Sequence, residues 1–275
     1  MKKRNITLYR DAVNRPKEVH EILREQLYTA QKEHERPSLE LFLSAFTAGL
    51  EIGFSVFFMG IMYTLFAGEV TASQLHLIVS VFYPIGFIFV IIGKSQLFTE
   101  HTTLAVMPVL NRDASILSLL RLWGIIYGGN ILGGLVFGVL LALVPAEMNL
   151  ISDESLVHLA DKLTDHRPYV IFGSGVIAGW LMGLLSWLVT SSQETISRIF
   201  LIFLVTTVIG IGSLHHSIVG SIEVFSAMLI DPSVTFPEYG ITQIWSTLGN
   251  LAGGVIFVAF IKFSHVRPGN VVDED

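Results

Sequence analysis

The chain of 275 residues contains no cysteine, which excludes disulfide staples, thiolate nucleophiles and cysteine-based metal sites. Charge is almost as scarce. Asp, Glu, Lys and Arg together make up 15% of the residues, and the net charge of −6 is too mild to define a partner. No HExxH pair occurs, so the usual signature of a helical zinc hydrolase is missing. No secretory leader is expected, because the first forty residues are charged throughout and hold no short apolar stretch before a cleavage site.

What the chain has in excess is apolar sequence, at 52% of residues. Runs of the roughly 20 residues needed to cross hydrocarbon cover Leu41–Phe66, Leu75–Val109, Leu117–Val144, Val170–Val189, Ile199–Ile230 and Ile241–Phe263. The expectation is an all-α polytopic membrane protein of six transmembrane spans. Basic residues set its orientation, since they stay cytoplasmic. Lys2, Lys3, Arg4, Arg10, Arg15, Lys17, Arg24, Lys32 and Arg36 precede the first span, and Arg112, Arg121, Arg198, Lys262 and Arg267 fall on the same side. The other side carries Lys162 and Arg167 among Glu147, Asp153, Glu154, Asp161, Asp165, Asp231 and Glu238. A multi-pass protein of the cell membrane with both termini cytoplasmic is expected. It divides into residues 1–40, an N-terminal amphipathic segment, residues 41–263, the six-span pore domain, and residues 264–275, a cytoplasmic tail.

Two stretches read almost alike: Gly129-Asn130-Ile-Leu-Gly133-Gly134 and Gly249-Asn250-Leu-Ala-Gly253-Gly254. With three spans per repeat the halves cross in opposite directions, giving a 3+3 inverted repeat. Close helix packing explains these motifs better than solute contact, because Gly lets backbones approach and Asn bonds across helices. Spans two and five are each interrupted by polar residues, Lys94 to Thr103 in one and Gly210 to Gly220 in the other. Both read as broken helices, and matched breaks in two halves point to a transport path near the midplane.

The Leu97-Phe98-Thr99 break, the His216-Ser217-Ile218 break, the paired Gly-Asn motifs and Gly49-Leu-Glu-Ile-Gly53 together resemble the formate/nitrite transporter family. The resemblance runs from about Leu41 to Phe263 and implies an aquaporin-like, homopentameric fold. Each protomer would then hold one pore for small monovalent anions such as formate, nitrite, acetate, lactate or hydrosulfide. It maps the central pore histidine onto His216, its counterpart onto Leu97, and an apolar constriction onto Phe98 beside Thr99. It also suggests Lys162, or Arg167 instead, as the cation that draws anions inward. Around Ser95, which fits the usual Ser or Ala, departures occur at Lys94 and Gln96, where a small residue and an acid are usual. Glu100 replaces a small residue and is followed by His101, His215 replaces an acid, and Gly220 replaces an Asn.

Physics supplies a reason for the histidine. A small anion is costly to carry bare through an apolar pore, and an imidazole with its ordinary pKa near ~6.5 can donate a hydrogen bond and exchange a proton. His216 is expected to bond the anion and to pass it a proton. Glu100 and Lys94 read either as a structural pair or as part of conduction. His101 and His215 read as orienting groups, while Glu51 and Glu223 read as partners of Lys94 or of hydroxyls. Lys162 completes the candidate charge network. Expected partners are small monovalent anions with protons as a candidate companion, the bilayer and other copies of the chain. No nucleic acid, cofactor or bound metal is expected, and the protein does not read as an enzyme. The rival within transport is an aquaporin-like channel for neutral solutes. A more distant one is an intramembrane metal-binding protein or metal transporter using His101, His215, His216 and Glu100. Finally, Val19, Ile22, Leu23, Leu27 and Ala30 recur at helical spacing from Pro16 to Glu35. This stripe reads as a helix on lipid or at a subunit contact, ahead of an inner gate sensing pH through His20 or His34.

Overall fold

The computed structural model describes residues 15–261 and 264, and among them the regular structure is helical without strands. Lys2, Lys3, Arg4, Arg10, Lys262 and Arg267, and the expected tail apart from Ser264, lie outside the described residues. In chain order the helices are α1 Val19–Glu35, α2 Ser38–Phe66, α3 Ala72–Phe82, α4 Pro84–Gly93, α5 Phe98–Leu104 and α6 Met107–Leu110. They continue as α7 Ile116–Glu147, α8 Asp153–Thr164, α9 Pro168–Ser191, α10 Thr195–Ile211, α11 Ser217–Ile230 and α12 Phe236–Ala252, and a π-helical stretch Gly253–Phe260 follows.

Four stretches are long and apolar enough to cross a membrane: α2, α3 with α4 as Ala72–Gly93, α7 through Pro145, and α9. The joint between α3 and α4 falls at Pro84, whose missing N–H interrupts the ladder. Ser55 mends it, donating to Tyr83 O at 2.6 Å and accepting from Gly86 N at 3.0 Å. α10 and α11 are apolar but shorter, because a break separates them.

The two breaks are built alike. α4 ends on Lys94 in the left-handed conformation, φ 61°, and Ser95 N–H returns to Val90 O at 3.0 Å. α10 ends with Ser213 at φ 45°, and Leu214 N–H returns to Ile209 O at 3.0 Å. This is the left-handed helix ending that glycine usually supplies, adopted here by two residues that carry a Cβ. Three residues further on, Leu97 and His216 are extended, with φ −99° and −102°, and each caps the next helix. The irregular segments are therefore shorter than the polar sequence suggested. Glu100 and His101 already donate their N–H groups back to Leu97 O at 3.2 Å, which puts Glu100 to Thr103 inside α5.

The Gly-Asn motifs hold these breaks open. Asn130 Oδ1 accepts from Phe98 N at 2.7 Å, while its Nδ2 donates to Ala45 O and Gln96 O, each at 2.8 Å. Asn250 repeats the arrangement, accepting from Ser217 N at 2.9 Å and donating to Gly175 O and His215 O, each at 2.9 Å. The reach of these short amides requires touching helices. A Cβ on Gly133 would strike Phe46 O across the α2–α7 contact, and one on Gly253 would strike Val176 O where the π-helical stretch crosses α9.

Two elements differ from expectation. α8 lies between the third and fourth apolar stretches, a helix for which the sequence pattern gave no reading. It starts at Ser152, whose Oγ accepts from Ser155 N at 3.3 Å, and it buries Leu156, Leu159, Ala160 and Leu163. α1 is helical as its spacing indicated, but its stripe does not lie on lipid. Ile22 and Leu23 are buried against Met107 and Trp187. His34 is fixed by Ser118 Oγ and Ala105 O, each at 2.8 Å. The helix is packed on the rest of the chain because its buried face carries Gln26 and His34, which find partners there that lipid would not supply. His20 is exposed.

Gly133→Ala should lower stability by about 1–3 kcal/mol through the backbone collision, whereas Gly124→Ala, which meets open space, should stay within about 0.5 kcal/mol. Asn250→Ala strands one N–H and two carbonyls and should cost at least about 2 kcal/mol. Melting temperatures in detergent would rank the three variants, and equal values would refute the packing account.

Candidate functional site

A single hydrogen bond joins the two breaks at their closest point. His216 Nδ1 accepts from Val219 N–H at 3.3 Å, capping α11. A nitrogen that accepts cannot hold the neutral ring's proton, so the proton sits on Nε2, which donates to Thr99 Oγ1 at 2.7 Å. Phe87 meets the imidazole edge-on with ring centroids 5.1 Å apart, and Tyr83 packs on Phe87 at 5.2 Å. His216 is 2% exposed, so the junction is shut off from bulk solvent. Leu97, at the place in the first break that His216 holds in the second, is fully buried. Phe98 turns to α7, edge-on to Tyr127 at 4.9 Å and to Trp123 at 6.5 Å.

Beside α1 lies a chamber of about 310 Å³ bounded by Lys94, Gln96, Glu100 and His101 from the break, and by Glu33 and Glu25 from α1. Lys94 and Glu100 face it without forming an ion pair. Lys94 sits on the left-handed turn that closes α4, and Glu100 on the first turn of α5. A chain of contacts crosses the chamber wall: His101 Nε2 meets Gln96 Oε1, and Gln96 Nε2 donates to Glu33 Oε1 at 3.3 Å. The departures at Gln96 and His101 thus meet the residues that α1 brings. Glu51 turns toward Ser95, and its Oε2 is buried without a hydrogen-bond partner, so it does not pair with Lys94.

At the other end of α2, beside α8, a cavity of about 40 Å³ lies among Tyr83, His76, Lys162 and Glu223. A wider recess of about 350 Å³, bounded by His158, Asp161, Asp165, His166 and again Lys162, continues from it. Lys162 Nζ donates to His76 Nδ1 at 3.3 Å, and His76 Nε2 donates to Ile211 O at 2.8 Å. Burial lowers the pKa of Lys162 from its ordinary value, while the charge of Glu223 pulls it back up. Burial also lowers that of His158, and the charge on Lys162 adds to the effect. Arg167 caps α9, is exposed, and lines neither space, which leaves Lys162 as the cation of this chamber.

His215 serves the framework. Its Nε2 donates to Leu163 O at 3.0 Å and its Nδ1 accepts from Ser174 Oγ at 2.9 Å, tying the second break to α8 and α9. His101, His215 and His216 therefore go to separate partners, and among the described residues no three His, Asp or Glu side chains gather as a metal-binding group. The sequence reading missed His76, Tyr83 and Phe87. Their signal was present as polar and aromatic residues on one face of an otherwise apolar run, at four- and seven-residue spacing with Ser80.

Comparison with known proteins adds the lineage. The family described as formate/nitrite transporter matches residues 20–264. The inner membrane protein YfdC of Escherichia coli (strain K12) is 30% identical over 256 residues, covering 90% of this chain and 78% of that protein. The nitrite transporter NirC of Salmonella typhimurium (strain LT2) is 27% identical over 227 residues, covering 80% of this chain and 81% of its own length. Among solved structures, an FNT family ion channel superposes with a TM-score of 0.75 at 21% identity, covering 89% of this chain and 98% of the other. A pentameric formate channel with formate bound gives 0.72 at 20% identity, with 83% and 97% covered. These two share the fold. With the family pattern spanning most of its length, the chain belongs to the formate/nitrite transporter family.

Proposed function

We propose that the protein moves small monovalent anions, of which formate, nitrite and acetate are the leading candidates, across the cell membrane through one pathway per protomer. In this reading the pore domain, residues 41–263, is a 3+3 inverted repeat of six spans, the protomers form a homopentamer, and both termini are cytoplasmic. The α8 side is then outside and the α1 side inside. Support comes from the family, from the relative named as a nitrite transporter and from the matched breaks. The single observation that carries the function is the His216 Nε2–H aimed at Thr99 in a buried junction between two polar chambers.

An anion reaching the junction needs a donor there, because bare charge in an apolar constriction is costly. Thr99 keeps the donor in the correct tautomer until a solute displaces it. Phe87 and Leu97 exclude water on either side, and Phe98 braces the first break against α7. Lys162 attracts anions at the outer chamber. On the inner side Lys94 offsets Glu100, Gln96 held by His101 fixes the break to α1, and His215 anchors the second break to α8. The activity is transport, with no bond in the anion made or broken beyond a proton transfer.

In liposomes, saturable uptake of labelled formate or nitrite should fall by at least about tenfold in His216→Phe, since the donor at the constriction is gone. Equal flux in the two proteins refutes the histidine role, and passage of glycerol without anion uptake by the unaltered protein replaces the function with that of a neutral-solute channel. The absence of cysteine gives a clean test of orientation. Ser213→Cys should react with a membrane-impermeant thiol reagent on intact cells, and Ser95→Cys only after permeabilisation. The opposite pattern would invert the topology.

A further inference from the structure

The pathway described above leaves one buried carboxylate without a task. Glu223 stands on the second turn of α11, 7% exposed, in the wall of the 40 Å³ cavity that also presents Lys162. Its carboxylate accepts no hydrogen bond from any described residue and closes no ion pair, although Lys162 lies near enough to feel its charge. Both side chains line this one small cavity, which has room for a few waters or one solute of a few heavy atoms, since a water needs roughly 10–15 Å³ of such space.

Charge neutrality then limits what can enter. With Lys162 positive and Glu223 negative the cavity is neutral, and a bare anion would leave one uncompensated negative charge among buried apolar walls. One proton restores balance. We propose that Glu223 and Lys162 form a binding site that accepts one small weak-acid anion together with one proton, and that Glu223 hands the proton to the anion. Protonated Glu223 donates its O–H to the anion, whose other oxygen accepts from Lys162. The Glu223 O–H bond breaks as an O–H bond forms on the substrate. The neutral acid passes toward Phe87 and His216, and the Glu223 carboxylate recovers a proton from water in the outer recess.

The site therefore selects substrates by basicity. Anions of weak acids, such as formate, acetate or nitrite, can take the proton, whereas nitrate, the anion of a strong acid, cannot. The other titratable groups on this side are His76 of α3 and Tyr83 between α3 and α4 in the cavity, and His158 and Asp161 of α8 with Asp165 and His166 just after it in the wider recess. Tyr63 of α2 is engaged by Glu154, and Tyr239 of α12 by Ser221, and α5 and α7 bring no titratable group to the cavity. Among the residues that line the 40 Å³ cavity itself, Glu223 is the one carboxylic acid, whereas Asp161 and Asp165 stand in the wider recess outside it.

This inference rests on the anion reading, and the experiment separates the two. Wild type, Glu223→Gln and Glu223→Asp are placed in liposomes containing a pH-sensitive dye, after size-exclusion chromatography has shown the wild-type assembly for each. Wild type should couple formate uptake to lumen acidification and ignore excess nitrate. In Glu223→Gln, acidification per formate should fall by about tenfold, and nitrate should now compete, because a neutral amide beside Lys162 admits a permanent anion. Glu223→Asp, which keeps the acid, should retain coupling. If Glu223→Gln keeps both the coupling and the indifference to nitrate, the proposal is overturned while anion transport stands. If Glu223→Gln does not assemble, Glu223→Asp decides: a shifted pH profile supports the site, and an unchanged one overturns it. Absence of anion uptake by wild type removes the proposed function and this site with it.

Discussion

A membrane-embedded helix can be broken only if something else satisfies the backbone groups that the break releases, and here that duty falls on two asparagine side chains. Asn130 and Asn250 each bind the first N–H of a new helix, a carbonyl of the break itself and a carbonyl of a neighbouring helix. Each amide thus uses one acceptor and two donors in fixed directions. The glycines around them follow from that geometry, since an amide this short reaches a neighbouring carbonyl only where the helices have no Cβ between them. The placement of Leu97 and His216 follows in turn, as the extended residues just before the clamped N–H groups.

Much of this was legible in the sequence because it depends on residue types that stand out against apolar runs. Gly, Asn, Lys94 and His216 interrupt long hydrophobic stretches, so the breaks could be located by position, while the Gly-Asn motifs read as helix packing and not as clamps on the breaks. The limits of the breaks could not. Glu100 to Thr103 are polar yet helical, because their backbone is paired and their side chains face a chamber and other protein. α8 escaped notice since twelve residues of mixed polarity between two spans look like a loop until Leu156, Leu159 and Leu163 are seen on one face. The stripe on α1 announced that one face would be covered without naming the cover. Met107 and Trp187, which cover it, are distant in sequence. Lys162 with His76 is a similar case, a contact between elements that only the tertiary fold creates.

The departures from the family's usual residues are not scattered. Gln96 meets Glu33 of α1 at one chamber while His101 holds Gln96, and His215 has become a tie between the second break and α8. The polar groups that replaced small or acidic residues are therefore used mainly to join the core to the elements around it. Glu223 differs from them, because it faces a cavity and has no partner of its own.

The sizes of the three spaces also have a kinetic meaning. A recess of about 350 Å³ and a chamber of about 310 Å³ each have room for several hydrated solutes, but the cavity of about 40 Å³ between the recess and the junction does not. In the proposed pathway, traffic through these spaces would be a queue with a single seat. Solutes that share it would compete for occupancy of that seat rather than for the mouth, and the interval before it empties would set the ceiling on turnover however crowded the recess becomes.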